Sequence, residues 1–287
     1  MKFRPLFYIF SLTLLTLSIF SIIKWGFKSS IDFAGGTNWQ ISLPSNPSKE
    51  KIVEVFKKNN INLSSVIISS DKVFSLRFEN ITPDQKTNLD TGLKTFDKDE
   101  KELKFETLGP TLGKELLNKT IVAIILSALC LFLFIGRRFR DFSFGISAIL
   151  AMFHDAIVLL GSFSLFGHFF GAELDALFVT ALLTTLSSSV HDTVITFDRI
   201  RELRRQNFKF DWVQLSNQAV TEVLNRTINN SMTIIIVLLC LVLLGGSSTH
   251  WFATALLVGF ICGTYSSTGV AIPLLLFFKK HSKRIKI

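Results

Sequence analysis

The stretch Leu174 to Glu202, LDALFVTALLTTLSSSVHDTVITFDRIRE, decides how this chain is read. Most of it is apolar enough to cross a bilayer, yet His191 and Asp192 lie well inside the apolar run. It ends in the charged group Asp198, Arg199, Arg201 and Glu202. An ionisable pair in hydrocarbon costs at least ~2.5 kcal/mol per charge, so its presence points to function within a membrane. The alternative, a surface helix of a soluble protein, is opposed by the apolar runs on either side.

The composition agrees. Of 287 residues, 48% are hydrophobic, 29 are Phe and only 18% are charged, below the usual quarter for soluble domains. This is a polytopic membrane protein carrying one modest polar domain. Cys130, Cys240 and Cys262 all fall in apolar runs and form neither a disulfide framework nor a zinc motif. The net charge of +9 does not read as nucleic-acid binding, because the bases outside the polar domain cluster beside apolar segments.

Working outward, six spans are expected: Pro5 to Ile23, Leu116 to Ile135, Phe142 to Phe166, Leu174 to Phe197, Thr227 to Leu244, and Trp251 to Phe278. Each is long enough for a membrane helix. Lys2 and Arg4; Arg137, Arg138 and Arg140; Arg199, Arg201, Arg204, Arg205 and Lys209; and Lys279, Lys280, Lys283, Arg284 and Lys286 then all fall on one side. By the positive-inside rule that side is cytoplasmic, which puts both termini there and the polar domain outside. The expected divisions are 1–27, cytoplasmic N-terminus and first span; 28–115, an extracytoplasmic α+β domain; 116–278, spans two to six; and 279–287, a basic cytoplasmic tail. Asp211 to Leu224 has apolar residues at helical spacing, as in a helix lying on the membrane face or a short connecting helix.

Within 28–115 the pattern predicts strand, helix, strand, strand, helix, strand. Thr37 to Leu43 alternates, and Asn46-Pro47-Ser48 opens a helix presenting Ile52, Val55 and Phe56. Ser65 to Ile68 and Val73 to Phe78 flank the turn Ser69-Ser70-Asp71-Lys72. Thr82-Pro83 caps a helix to about Phe96, and Glu102 to Thr107 is the last strand. That order is the order of a ferredoxin-like fold.

The candidate chemistry lies in the spans. Asp192 sits about 9 Å inside the cytoplasmic end of its helix. Arg226 starts the next span at the same end, within inward reach of Asp192. Ser188 and Ser189 lie one turn from Asp192. His154-Asp155 is a second buried pair, explained as well by helix packing as by a proton path. Gly259 and Gly263 have small-xxx-small spacing and form a helix-packing face. No His-Glu-x-x-His, P-loop or nucleophile elbow is present, so neither an enzyme, a metal nor a cofactor is expected, and any energy source is a gradient or a partner.

Several stretches resemble one family. Asp32-Phe33-Ala34-Gly35-Gly36-Thr37 is similar to the Asp-Phe-x-Gly-Gly-Thr signature of the SecD/SecF family, accessory subunits of the Sec translocase. Gly109-Pro110-Thr111-Leu112-Gly113 resembles the segment closing that family's first extracytoplasmic domain. His191-Asp192-Thr193 with Asp198-Arg199-Ile200-Arg201-Glu202 looks like the fourth span of the SecF branch, in which asparagine usually precedes the aspartate. Arg226-Thr227 and Gly263-Thr264-Tyr265-Ser266-Ser267 match its fifth and sixth spans. The resemblance implies a six-helix bundle of the RND superfamily in the plasma membrane, pairing with SecD and working with SecYEG on exported unfolded polypeptide. YajC-type and YidC-type accessory proteins are further implied partners. It also implies a proton pathway containing Asp192 and Arg226; we add His191 and Asp155 as candidates. Two other functions fit the residues less fully: an RND-type half-transporter for lipids or small molecules, and a passive membrane scaffold.

Overall fold

A computed structural model describes residues 4–69, 72–95, 97, 99–139, 141–206 and 210–282. Ser70 and Asp71 of the expected hairpin turn, Phe96 at the expected helix end, and the basic residues Lys2, Arg140, Lys209, Lys283, Arg284 and Lys286 lie outside the described residues. Two compact units emerge: one of Met1–Lys28 with Ala123–Ile287, the other of Ser29–Val122.

The smaller unit contains α2 (Ile31–Ala34), β1 (Gly36–Ser42), α3 (Lys49–Lys58), β2 (Leu63–Ser69), β3 (Val73–Phe78), α4 (Pro83–Lys94) and β4 (Lys101–Leu108). The sheet order is β2-β3-β1-β4 with every pairing antiparallel. Strand alternation sends Phe74, Leu76 and Phe78 of β3 and Trp39 and Ile41 of β1 to one face. They pack with Ile52, Val55 and Phe56 of α3 and Leu89 and Leu93 of α4 in one buried cluster. Proline at the first position and a reciprocal Thr82–Gln85 capping box start α4. On the β4 edge, Trp39 Nε1 donates to Glu102 Oε2 at 3.0 Å, and Lys86 pairs with the same carboxylate at 2.9 Å.

The larger unit is helical: α1 (Arg4–Trp25), the far part of α5 (Pro110–Arg138), α6 (Phe142–Phe170), α7 (Ala176–Gln206), α8 (Trp212–Leu244), α9 (Ser247–Gly269) and α10 (Ala271–Ser282). Three expectations change. Among the described residues, five stretches are long and apolar enough to cross a membrane: Pro5–Trp25, Pro110–Arg138, Phe142–Phe170, Trp212–Leu244 and Thr249–Lys280. Helix α7 is not among them, because Thr184, Thr185, Ser187 to Ser189, His191 and Asp192 interrupt its apolar run. It is instead packed inside the bundle, with Ala181, Phe197 and Ile200 fully buried. The separate helix expected at Asp211 to Leu224 is absent: Asp211 caps one continuous helix that runs on to Leu244, since nothing at Asn225-Arg226 breaks it. Conversely, the last span breaks at Val270, because Pro273 has no N–H to offer the carbonyl of Gly269.

Glu100, just before β4, has both carboxylate oxygens buried with no hydrogen-bond partner among the described residues. Burial, then the nearby Asp90 carboxylate, pushes its carboxyl from 4.5 up to about 7. The folded state therefore binds this proton more tightly than the unfolded chain does. Its contribution to stability is complete below about pH 4.5 and is lost as pH rises through about 7. Discounted for solvent screening, the effect is about 1 kcal/mol. Glu100→Gln should raise the protease resistance of this unit at pH 8 and flatten its dependence between pH 5 and 8, read by pulse proteolysis of the whole protein in detergent.

Candidate functional site

The site begins where two helices lie almost backbone to backbone. A Cβ at Gly259 of α9 would stand 2.3 Å from Cγ2 of Thr185 on α7, and one at Gly263 would stand 3.1 Å from Cβ of Ser189. Lipid tails are as apolar as leucine, so helices in a bilayer associate through close packing and polar contacts, both of which small residues permit. On the other side of α6, Gly161 admits Ser18 of α1, where a Cβ would come within 2.3 Å.

The close approach brings polar groups together in the bundle interior. Asp155 of α6 is only 5% exposed, and both of its oxygens are engaged. Ser189 Oγ and Ser266 Oγ each donate to Oδ2 at 2.5 Å. Cys262 Sγ donates to Oδ1 at 3.3 Å, and His154 Nδ1 lies 3.0 Å from the same oxygen. Sequence reasoning ranked Asp155 behind Asp192 because these partners lie 34 and 111 residues away along the chain. In sequence Ser189 is a neighbour of Asp192 and Ser266 is part of the sixth-span match; their meeting at Asp155 has no local signal.

Asp192 is three residues beyond Ser189 on α7 and borders the same narrow seam, with Ser188, Gly263 and Thr264. It is 8% exposed, and its carboxylate has no hydrogen bond or ion pair among the described residues. His191, about 100° round the helix, faces outward. Arg226 is exposed and lines a cleft with Asp198, Arg199, Glu202 and Glu222. The expected Asp192–Arg226 contact is therefore not formed. Arg199 Nε meets Glu222 Oε2 at 2.5 Å and fixes how α7 and α8 align. Arg226 is one turn beyond Glu222 on α8, and Asp192 is two turns before Arg199 on α7. In this antiparallel pair Arg226 thus falls about 5 Å short of Asp192 along the axis. The rest of the charged tail is a network: Asp198 with Arg138 at 2.6 Å and Arg201 at 3.4 Å, and Arg199 with Glu202 at 2.5 Å.

His154, Asp155 and Cys262 bring metal-ligand atoms within 4.8 Å of one another. The donors already on Asp155 occupy both of its oxygens, so the hydrogen-bond network accounts for the cluster.

In the smaller unit two distant motifs interlock. Gly35 has φ +75°, and a Cβ there would stand 2.7 Å from Cα of Pro110; a Cβ at Gly113 would stand 2.9 Å from Gly35 N and 3.0 Å from Phe33 O. Gly36 has φ +124° and opens β1, paired with Leu108. Thr37 and Thr107 share a hydroxyl hydrogen bond at 3.1 Å. Asp32 lies in the first turn of α2, where its N–H donates to Ser30 Oγ. Gly109 is different: a Cβ there meets nothing within 4 Å, and its carbonyl accepts from Gly113 N.

Comparison with known proteins gives a consistent picture. Residues 88–281 match the family described as protein export membrane protein SecD/SecF, C-terminal. The chain is 36% identical to the protein translocase subunit SecF of Thermobaculum terrenum, over 93% of this chain and 89% of that one. It is 32% identical to the SecF of Synechocystis, covering 95% and 91%. Among solved structures it resembles SecDF from Thermus thermophilus, a translocon-associated membrane protein, with a TM-score of 0.88 and 28% identity. That match covers 97% of this chain but only 38% of the longer SecDF chain.

The interlocked glycines give a contrast to test. Gly35→Ala places a Cβ against backbone at a positive φ and should cost about 2 kcal/mol or more, whereas Gly109→Ala should be nearly neutral. Limited proteolysis of the membrane-inserted protein should show faster cleavage in the first variant alone.

Proposed function

The chain belongs to the SecD/SecF family of protein-export membrane proteins and is an accessory subunit of the Sec translocase, and from that premise we propose that it couples proton flow to late steps of export together with SecD. The carrying observation is a buried carboxylate, Asp192, left without a partner in the bundle while an arginine, Arg226, stands about one turn away. Desolvation favours the neutral acid; a guanidinium alongside favours the carboxylate. Protonation and pairing with Arg226 are then alternatives, and relative movement of α7 and α8 by one turn exchanges them. One proton crossing a potential of about 150 mV releases roughly 3.5 kcal/mol. That exceeds a two-state bias of 1 or 2 kcal/mol and is enough to reverse it.

In this reading α1, α5, α6, α7, α8 and the broken pair α9–α10 are six membrane helices of an RND-type bundle. Helix α7 is shielded from lipid by its neighbours, which is why it tolerates its polar residues. The antiparallel sheet with α3 and α4 is a ferredoxin-like domain outside the cytoplasm, supported by its strand order. Both termini are cytoplasmic, SecYEG is the channel served, and exported unfolded polypeptide is the cargo. Arg138, Arg199, Arg201, Arg204, Arg205 and Lys279 mark the cytoplasmic end.

Two measurements test this. A cysteine at Asn88 should react from outside intact cells with a membrane-impermeant thiol reagent, and one at Gln206 should not, once the native cysteines are replaced; reversed labelling rejects the topology. Asp192→Asn keeps the shape but cannot titrate. It should insert and pair normally yet lose the increment in export that an imposed proton gradient gives to membrane vesicles, by tenfold or more, and Arg226→Met should resemble it. An undiminished increment in Asp192→Asn would leave a passive scaffold as the better account.

A further inference from the structure

Asp155 has a feature that helix packing alone does not require. Four polar groups from three helices converge on it: His154 beside it on α6, and the donors Ser189 on α7 and Cys262 and Ser266 on α9. Both oxygens of Asp155 are engaged, by more partners than a single helix–helix hydrogen bond requires. Ser189 belongs to two neighbourhoods at once. It donates to Asp155, and it borders the seam that Asp192 also lines, three residues along the same helix face.

We propose that Asp155 is an inner proton acceptor for Asp192, reached through the Ser189 hydroxyl, so that this subunit holds a two-carboxylate relay running from α7 to α6. The step balances without a co-reactant. The O–H bond of protonated Asp192 breaks as its side chain turns toward Ser189, three residues back on the same helix face, and its proton passes to Ser189 Oγ. The serine's own proton moves to Asp155 Oδ2. Asp192 is left as the carboxylate, free to take Arg226; Asp155 becomes the acid, and the serine is unchanged. His154 lies against the acceptor. Its Nδ1 faces Asp155 Oδ1, and its Nε2 is buried without a partner among the described residues. Other titratable groups around Asp155 are Cys262 and Tyr265 from α9, the latter with its ring 6.4 Å from that of His154. From α7 come Asp192 and the outward-facing His191. Helices α1 and α10 carry their charges at their ends, as Arg4 and Lys24 and as Lys279 and Lys280.

This relay rests on the proton-coupled reading above, and the test separates the two. Export by membrane vesicles containing the whole translocase is measured with and without an imposed proton gradient, across a pH series. The chains compared are wild type, Asp192→Asn, Asp155→Asn, Ser189→Ala, Ser189→Cys and Ser266→Ala. Both Asp155→Asn and Ser189→Ala should lose the gradient increment at least tenfold, and Ser189→Cys, which keeps a hydrogen-bearing group in place, should recover part of it. Ser266→Ala removes an equivalent hydrogen bond that is not on the path. It should keep the increment. Infrared difference spectra on acidification should show two carboxylic-acid bands, one missing in Asp155→Asn and the other in Asp192→Asn.

If Asp192→Asn loses the increment but Asp155→Asn and Ser189→Ala keep it, the relay is wrong and the simpler Asp192 switch stands. If Ser189→Ala and Ser266→Ala lose equal increments and equal thermal stability, Asp155 is a packing centre only. If Asp192→Asn keeps the increment, the proton-coupled reading fails and the relay fails with it.

Discussion

The bundle depends on how closely α9 lies against α7. Two glycines, Gly259 and Gly263, remove the side chains that would hold the helices apart, and Thr185 and Ser189 fill the space. Only at that separation can Ser189 and Ser266 reach the same oxygen of Asp155. The apolar environment makes the arrangement self-enforcing. A carboxyl group with both oxygens engaged is tolerated in the interior, whereas one that has lost its partners bears the full cost of desolvation.

Asp192 has been left outside this settlement. It shares the seam with Ser189 but has no hydrogen bond of its own, and Arg226 stands among Asp198, Glu202 and Glu222 instead. The charged tail of α7 explains why. Asp198 is already held by Arg138 and Arg201, and Arg199 by Glu202 and Glu222. Arg226 is the cation of the cleft with no partner among the described residues. The Arg199–Glu222 pair keeps α7 and α8 aligned, and Asp192 and Arg226 are left apart.

The smaller unit applies the same rule to backbone. Gly35 and Gly113 are small because Phe33, Pro110 and the chain at Gly35 itself occupy the space a Cβ would need. The start of β1 and the start of α5 are thereby clamped together, with the Thr37–Thr107 bond closing the sheet above them. Gly109 carries no such demand; its carbonyl begins the hydrogen bonding of α5.

Element type, strand order of appearance and the apolar runs were legible in the sequence because each is local: alternation in Val73 to Phe78, the Thr82-Pro83 cap, and runs of apolar residues long enough to span. That Asp192 would be buried was legible for the same reason, a charge within one apolar run. Where Asp211 to Leu224 ends was not, because no residue there forbids the helix from continuing. The break at Val270 has a local cause as well, the missing N–H of Pro273. What only the tertiary structure decided is which polar side chains meet. Asp155, Ser189, Cys262 and Ser266 stand on three helices with nothing in the sequence to link them, and are joined because glycine lets two of those helices touch; close approach across a bundle is a property of packed surfaces, and no single stretch of sequence carries it.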